Sequence, residues 1–337
     1  MKRNKYVIYW LLTGCALIFI MVLVGGITRL THSGLSISDY KLIQGTIPPM
    51  NELEWQAAFD LYKQYPEYQK LNYHFDLEDF KQIYFWEWLH RVIGRFIGIV
   101  FIVPFLFFLW TKKLDRATVK KCLLLLFLGA FQGFLGWYMV KSGLVDLPDV
   151  SHYRLAAHLT TAFITFAYSL WVALDLIFPT KKEVHTGIRN LIRVALAVLL
   201  IQIVWGAFVA GLDAGFIHND WPMMSEGKLM HETVYIEQHP LLKNFIEGRS
   251  GVQFVHRYLA YIVVAFMLAI WYKTRKTGRT SWQEKGIQSI LILVLLQFLL
   301  GVLTLIYAVP LWLGVAHQIG AFFLLAATTF TLHRFTK

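Results

Sequence analysis

The stretch WLHRVIGRFIGIVFIVPFLFFLW, residues 88–110, decides the fold class. It is apolar apart from a few residues near its beginning, and it exceeds the roughly 20 residues that an α-helix needs to cross a bilayer. A buried strand would run for only about 4 to 8 residues, and a barrel strand would alternate apolar and polar side chains. The stretch therefore predicts a transmembrane helix.

Seven further apolar runs accompany this one. They lie at about 7–25, 120–140, 154–178, 191–211, 253–272, 287–308 and 312–332. Of the 337 residues, 57% are hydrophobic and 16% are charged, whereas soluble domains have roughly 45–50% and 25%. We therefore predict an all-α polytopic membrane protein with eight transmembrane helices, and the composition excludes a soluble or disordered chain.

The charges of the connecting segments predict the orientation. The segments on the side of the N-terminus carry 19 Lys and Arg but only 3 acids, whereas the opposite segments carry 10 and 17. The positive-inside rule then places both termini in the cytoplasm. The net charge of +11 is explained by this asymmetry, so no nucleic-acid partner is expected. The first run lacks a cleavage site and no Arg/Ser-rich transit sequence precedes it, which favours a bacterial plasma membrane.

The two halves of the chain repeat the same motifs in the same order. Residues 88–91 (WLHR) match 254–257 (FVHR), and the QxxxG pattern at 132–136 matches that at 297–301. Ala157-His158 likewise matches Ala316-His317, and 24–26 corresponds loosely to 209–211. We predict two repeat-related four-helix bundles, 1–178 and 179–337, with an axis along the membrane normal. The QxxxG patterns, including one at 202–206, are interpreted as notches for close helix packing.

Four histidines fall well inside the apolar runs, near the outer ends of the even-numbered helices. They are His90, His158, His256 and His317. A lone intramembrane histidine is usually a packing residue, but four at matched depth in two repeat-related pairs indicate metal ligation. The spans supply neither thiolates nor carboxylate clusters for zinc or di-iron, whereas a porphyrin needs only one or two axial ligands. The pattern therefore predicts two haem sites.

Three arginines also lie within the spans: Arg91, Arg95 and Arg257. A charge inside the membrane is costly, so it normally faces a cavity or a partner. Arg91 and Arg257 each follow a predicted ligand directly and could bind haem propionates. The alternative is that all three extend to the outer interface.

The two predicted sites differ by one charge. Glu87 precedes His90 by three residues and shares its helix face, while Gln253 holds the equivalent position before His256. A carboxylate suits a site that moves protons or stabilises developing positive charge. The first half is therefore the candidate reaction site, with Glu87 as its catalytic residue, and the second half supplies electrons. The alternative is that Glu87 merely ends a loop in water.

With these residues the sequence resembles the haem A synthase family. The similarity covers nearly the whole chain and includes GGITRL at 25–30, EWLHR at 87–91, GAFVAGLDAG at 206–215 and WPMM at 221–224. The resemblance implies an eight-helix fold of two four-helix bundles, with haem b held by His256 and His317. Glu87 matches the functional glutamate of the family.

The resemblance also implies the reaction and the partners. Haem O would bind between His90 and His158, where two successive hydroxylations of a methyl group lead to the formyl group of haem A. A haem O synthase would deliver the substrate through the membrane lipid, a terminal oxidase would receive the product, and the electron donor is left open. Some bacterial members carry a cysteine pair in an outer loop. This sequence has only Cys15 and Cys122, inside or beside apolar runs, so no role of that pair is transferred.

Two other functions fit parts of the pattern. A dihaem membrane cytochrome that only relays electrons would explain the four histidines but not the difference between Glu87 and Gln253. A transporter built on parallel repeats would use the histidines in a proton path, but it predicts interrupted spans, and Pro104 is the one mid-span proline.

Overall fold

The structure is a computed structural model that describes residues 5–37, 44–143, 149–179 and 186–336. Within these ranges eight helices are long and apolar enough to cross a membrane, and no β-strand occurs. In chain order the helices are α1 (Lys5–Leu30), α2 (Leu77–Trp110), α3 (Arg116–Gly143), α4 (His152–Ile177), α5 (Thr186–Gly211), α6 (Arg249–Thr274), α7 (Ser281–Ile306) and α8 (Leu311–Thr336). The chain is a multi-pass membrane protein, and the predicted fold class is confirmed.

Because the number of these crossings is even, Lys5 and Thr336 lie on the same side of the membrane, here named the terminal side. The opposite side, named the loop side, carries the connections from α1 to α2 and from α5 to α6. Short helices occur in both of these connections. Their bounds are Gln44–Thr46, Glu52–Tyr62 and Pro66–Lys70 in the first, and Ala214–Phe216, Thr233–Ile236, Leu241–Lys243 and Asn244–Glu247 in the second.

Helix α2 begins at Leu77, well before the predicted start of its apolar run at residue 88. The carboxylate of Asp76 accepts hydrogen bonds from the backbone N–H groups of Glu78 and Asp79, at 2.8 and 3.0 Å. This capping box fixes the helix start in a polar stretch that hydropathy does not detect. His90 therefore lies more than three turns from the start of its helix, farther from this end than the apolar run predicted.

The first loop folds onto this extension of α2. In the sequence, Trp55, Ala58, Phe59 and Tyr62 follow helical spacing, which predicts a short amphipathic helix on or near the membrane surface. The helix is present as Glu52–Tyr62. Its apolar face packs on α2, where Phe59 and Tyr62 stack on Phe80, and its location relative to the membrane surface stays a prediction. The ring centroids of Phe59 and Tyr62 lie 5.2 and 5.1 Å from that of Phe80. The loop thus has a small apolar core of its own.

Each half of the chain closes a ring of four helices. Helix α1 packs on α2, α2 on α3, α3 on α4 and α4 on α1, and helices α5 to α8 repeat this order. The halves meet where α1 contacts α8, α4 contacts α5 and α4 contacts α8. Exchanging the halves converts the α1–α8 contact into the α5–α4 contact. The packing is therefore compatible with two repeat-related bundles, whose linker includes residues 180–185, outside the described residues.

The interface between the halves is both apolar and polar. Phe166 of α4 packs on Phe322 of α8, with ring centroids 4.0 Å apart, inside a large apolar cluster. The Gln318 side chain donates to the Val22 carbonyl at 2.8 Å. Near the loop side, Arg29 of α1 pairs with Asp213, just after α5, at 3.0 Å. These contacts hold the two bundles in one arrangement.

A buried ionic cluster lies on the terminal side. Asp175 of α4 accepts a hydrogen bond from Lys121 of α3 at 2.5 Å and contacts Nε2 of His333 of α8 at 3.0 Å. The side chain of His333 is 0% exposed. Hydropathy gives no hint of this cluster, although Asp175 is an acidic residue inside the apolar run 154–178. The cluster joins helices of both halves.

Candidate functional site

The four predicted histidines occupy equivalent positions in the two rings of helices. Each lies on an even-numbered helix and directs its imidazole at a glycine of the odd-numbered helix before it. A Cβ atom built on the glycine would lie close to the Cε1 atom of the ring. The pairs and these distances are Gly25 with His90, 3.0 Å; Gly136 with His158, 3.4 Å; Gly206 with His256, 3.0 Å; and Gly301 with His317, 2.8 Å. The rings of His90, His256 and His317 therefore leave too little room for a side chain on the neighbouring helix, whereas the contact at Gly136 would be an ordinary one.

This pairing corrects one part of the predicted repeat. The sequence aligns 24–26 with 209–211, but the residue that faces a histidine as Gly25 does is Gly206. The shift is one helical turn, since residues four apart share a helix face. Helices α1 and α5 agree with it, because both of their bounds differ by 181 residues, as do Gly25 and Gly206.

A glutamine stands one turn before three of these glycines, and each contacts the histidine that the glycine faces. The Gln202 amide lies 3.1 Å from Nδ1 of His256 and donates to the backbone carbonyl of the same residue at 3.0 Å. In α7, Gln297 lies 3.2 Å from Nδ1 of His317. The QxxxG pattern is therefore more than the predicted packing notch. Its spacing, which puts Gln and Gly on one face, is the signal from which these contacts could be inferred.

The C-terminal pair fits two axial ligands of one metal ion. The ring centroids of His256 and His317 are 6.3 Å apart, with their planes at 86°. Imidazole nitrogens bind a metal ion at about 2 Å, which places the centroids of two opposite rings about 6 Å apart. A cavity of about 290 Å³ adjoins both rings and is lined mainly by apolar side chains. The residues present therefore fit a haem.

Arg257 contributes a positive charge to this cavity. It donates hydrogen bonds to the backbone carbonyls of Asp220 and Met223 in the second loop. Its Nη1 atom is buried and has no partner among the described residues. A buried guanidinium nitrogen without an acceptor is costly unless an anion is bound. This agrees with the prediction that Arg257 meets a propionate.

The N-terminal pair has a different environment. The Nδ1 atoms of His90 and His158 are buried, and neither has a hydrogen-bond partner in the described part of the chain. Gln132 reaches only the backbone carbonyl of His158, at 3.1 Å. At the position before Gly25 that corresponds to the glutamines stands Met21. Both rings thus keep a polar atom unsatisfied within the helix bundle.

Glu87 is buried, with 4% of its surface exposed, so it does not end a loop in water. It accepts hydrogen bonds from the hydroxyl group of Ser36 at 2.7 Å and from the backbone N–H of Ile37 at 2.8 Å. Arg91 donates to its other oxygen at 2.5 Å. The carboxylate is therefore fixed between the loop after α1 and the helix that carries His90.

The three in-span arginines all bind loop backbone. Arg91 donates to the Ile37 carbonyl at 2.7 Å, and Arg95 donates to the Gly45 carbonyl at 3.1 Å. These contacts agree with the alternative that the three side chains extend towards the loops, and the binding of haem propionates stays a prediction. The loop that follows α1 is thus tied to α2 by charged side chains.

Gln253 performs in the second half the structural role that Glu87 performs in the first. Its amide donates to the Ala214 carbonyl at 2.9 Å and to the Ile217 carbonyl, both in the loop after α5. It is 2% exposed. Both residues therefore hold the loop that leaves the preceding odd-numbered helix. The difference between the halves is one buried negative charge, as the sequence predicted.

Residues 8–329 match the COX15-CtaA family, described as a cytochrome oxidase assembly protein. The chain belongs to this family. It is 62% identical to the "Heme A synthase" of Flavobacterium johnsoniae, with 100% of this chain and 99% of the relative aligned. It is 59% identical to that of Flavobacterium psychrophilum over the full length of both. The "Heme A synthase" of Parvibaculum lavamentivorans is 43% identical, with 99% of this chain and 96% of the relative aligned. The family match includes Glu87 and the four histidines.

Proposed function

We propose that this chain is a haem A synthase, an enzyme that oxidises a methyl group of haem O by two successive hydroxylations. The geminal diol formed by the second hydroxylation loses water and leaves the formyl group of haem A. The observation that carries the proposal is the buried, glycine-backed pairs of imidazoles in a chain that aligns along its whole length with proteins of this name. Such pairs suit iron porphyrins.

The C-terminal half is proposed to hold haem b. His256 and His317 would hold its iron, and Arg257 would hold a propionate with the nitrogen that has no acceptor among the described residues. Bound haem b would supply electron transfer, one electron at a time. The apolar lining of the cavity would keep water away from the ligand nitrogens.

The N-terminal half is proposed to hold the substrate haem O, with His90 and His158 as its iron ligands. Glu87 would be the catalytic residue, because a fixed carboxylate can accept a proton or stabilise positive charge that develops during oxidation of the methyl group. Arg91 orients this carboxylate through their 2.5 Å contact. Arg91 and Arg95 are also proposed to attract the propionates of the substrate.

The proposed location is the plasma membrane of a bacterium, with both termini in the cytoplasm. The supporting observation is the excess of Lys and Arg in the segments of the terminal side. In this orientation the four histidines lie nearer the outer face of the membrane. Haem O, supplied by a haem O synthase, would arrive through the lipid, and haem A would pass to a terminal oxidase.

The proposal is tested by co-expression with a haem O synthase in a host that lacks its own haem A synthase. We expect acid extracts of the purified protein to contain haem A and haem b, identified by mass. The His256→Ala variant should lose haem b, whereas His239→Ala, an exposed histidine of the second loop, should retain it. Extracts with two unmodified haems and no haem A would instead indicate the electron-relaying cytochrome.

A further inference from the structure

The two pairs of histidines differ in how their Nδ1 atoms are held. Among the described residues, the Nδ1 atoms of His256 and His317 each face a glutamine amide, at 3.1 and 3.2 Å. Those of His90 and His158 are buried with no partner in the same described ranges. The difference follows the division of the chain into halves, not the order of the helices. It therefore distinguishes one site from the other.

A histidine that binds a metal ion through Nε2 carries its proton on Nδ1, and the acceptor of that proton fixes the orientation of the ring. The amide oxygens of Gln202 and Gln297 are both buried and have no partner among the described residues. Half a turn of either amide exchanges its oxygen and nitrogen positions, which places the oxygen beside Nδ1. In Gln202 this turn exchanges the hydrogen bond to the His256 carbonyl for one from Nδ1. Each C-terminal ligand therefore has an acceptor for its proton within reach.

Gln132 offers no such acceptor to its histidine, although it belongs to the same QxxxG pattern. Its amide nitrogen donates to the backbone carbonyl of His158, and no contact with the ring occurs among the described residues. Met21, at the fourth position, has only a thioether, which is a weak acceptor. The two N-terminal rings consequently lack the hydrogen bond that would hold them in one orientation.

We propose that Gln202 and Gln297 are positioning residues that keep haem bound permanently at the C-terminal site. At the N-terminal site no glutamine amide contacts Nδ1 of His90 or His158 among the described residues, which leaves the haem there free to exchange. This inference rests on the proposed function, in which one haem is retained while another enters as substrate and leaves as product. The same helical scaffold thus carries two sites of different residence time, distinguished by whether a glutamine reaches the ligand ring.

The experiment compares the full-length wild type with Gln202→Leu, Gln297→Leu and, as the matched control, Gln132→Leu. Transfer of haem b from the purified proteins to excess apomyoglobin is followed by absorbance. Loss of such a supporting contact typically weakens metal binding by about 10–100-fold. We expect haem b to leave the Gln202 and Gln297 variants about 10–100-fold faster than the wild type, and to leave the Gln132 variant at the wild-type rate.

A second measurement separates ring positioning from general loosening of the helices. Gln202→Glu keeps an oxygen acceptor and adds a negative charge beside Nδ1, which strengthens the imidazole as a donor to ferric iron. We expect this variant to retain haem b and to show a lower midpoint potential than the wild type. If a leucine variant fails to accumulate, the potential of Gln202→Glu decides the question alone.

The inference is overturned if the leucine variants release haem b at the wild-type rate, or if Gln202→Glu leaves the midpoint potential unchanged. Equal acceleration in Gln132→Leu would also overturn it, because the effect would then not depend on contact with a ring. Failure of the proposed function has a different signature, since the wild type itself would then contain no haem b or form no haem A.

Discussion

At the scale of single residues, Glu87 and Gln253 occupy equivalent positions and both bind a loop, but only Glu87 carries a charge that could serve a reaction. Each side chain binds the loop that leaves the preceding odd-numbered helix, so that loop can be held by either an acid or an amide. Only the acid adds a negative charge next to a histidine. The loop contacts explain why the position is buried, and the charge is left as the feature that a reaction would require.

The Glu87→Gln variant tests this separation. The amide can still accept hydrogen bonds from Ser36 and Ile37, so the loop should remain folded and the pigment bound. Arg91 loses its counter-charge, and no carboxylate remains to accept a proton. We expect haem A formation to fall by about 100-fold or more, the usual range for loss of an acid–base group. Normal haem A in extracts would contradict the catalytic role, and Glu78→Gln, exposed on the same helix, is the control.

A glycine substitution tests the requirement for space around a ligand ring. In Gly301→Ala the new Cβ would lie 2.8 Å from Cε1 of His317, closer than real side chains approach, so the ring must move. We expect most of the haem b to be lost during purification, as measured by the haem-to-protein ratio. Gly129→Ala, where the new Cβ meets open space, should retain it. Equal retention in both variants would show that the ring has room to spare.

At the scale of the helices, the sequence predicted how many membrane-spanning helices there are better than it predicted where each one begins. Eight apolar runs identify eight helices because burial in lipid requires a continuous apolar surface. The start of α2 at Leu77 was not predicted, because its N-cap residue, Asp76, lies in a polar stretch where hydropathy carries no signal. The loop helix Glu52–Tyr62 was predicted from its spacing, but its partner Phe80 was not, since no pattern along the chain tells which apolar face will cover another.

This loop element is expected to respond to pH through Glu67. Burial raises the pKa of its carboxyl from the usual 4.5 to about 8, despite a hydrogen bond from Tyr62 that lowers it. The folded loop therefore retains a proton that the unfolded loop would lose above pH 4.5. Its stability is fully present below that pH and is lost as the pH rises through about 8.

Hydrogen exchange of the amides in 52–70, corrected for the intrinsic effect of pH, measures this response. We expect less protection at pH 9 than at pH 6 in the wild type. The Glu67→Gln variant, which cannot ionise, should show the same protection at both values. A wild type with equal protection at pH 6 and pH 9 would contradict the expectation.

At the scale of the whole molecule, the sequence predicted two repeat-related halves, with which the helix packing is compatible, but it did not predict which side chains join them. The similar spacing between matching motifs indicates a repeat, because equivalent positions in the two halves carry the same residues, as His90 and His256 do. The side chains that join the halves do not belong to the repeated motifs, so the sequence gives no signal of their pairing. Asp175 is the clearest case, because its partners Lys121 and His333 lie far away in the sequence.

The terminal-side cluster should therefore control the stability of both bundles together. In Asp175→Asn, Lys121 loses its counter-charge and the fully buried His333 loses its carboxylate hydrogen-bond partner, while the size of the side chain is kept. Loss of a charged partner from a buried group costs about 1–3 kcal/mol. Because the cluster joins α3 and α4 to α8, we expect one cooperative thermal transition, in detergent, with a midpoint a few degrees below that of the wild type.

Asp60→Asn, which removes an exposed pair with Lys63, should leave the midpoint unchanged. Two separate transitions in the Asp175 variant would mean that the bundles unfold independently once the cluster is broken, and an unchanged midpoint would mean that the apolar contact of Phe166 with Phe322 suffices to join them.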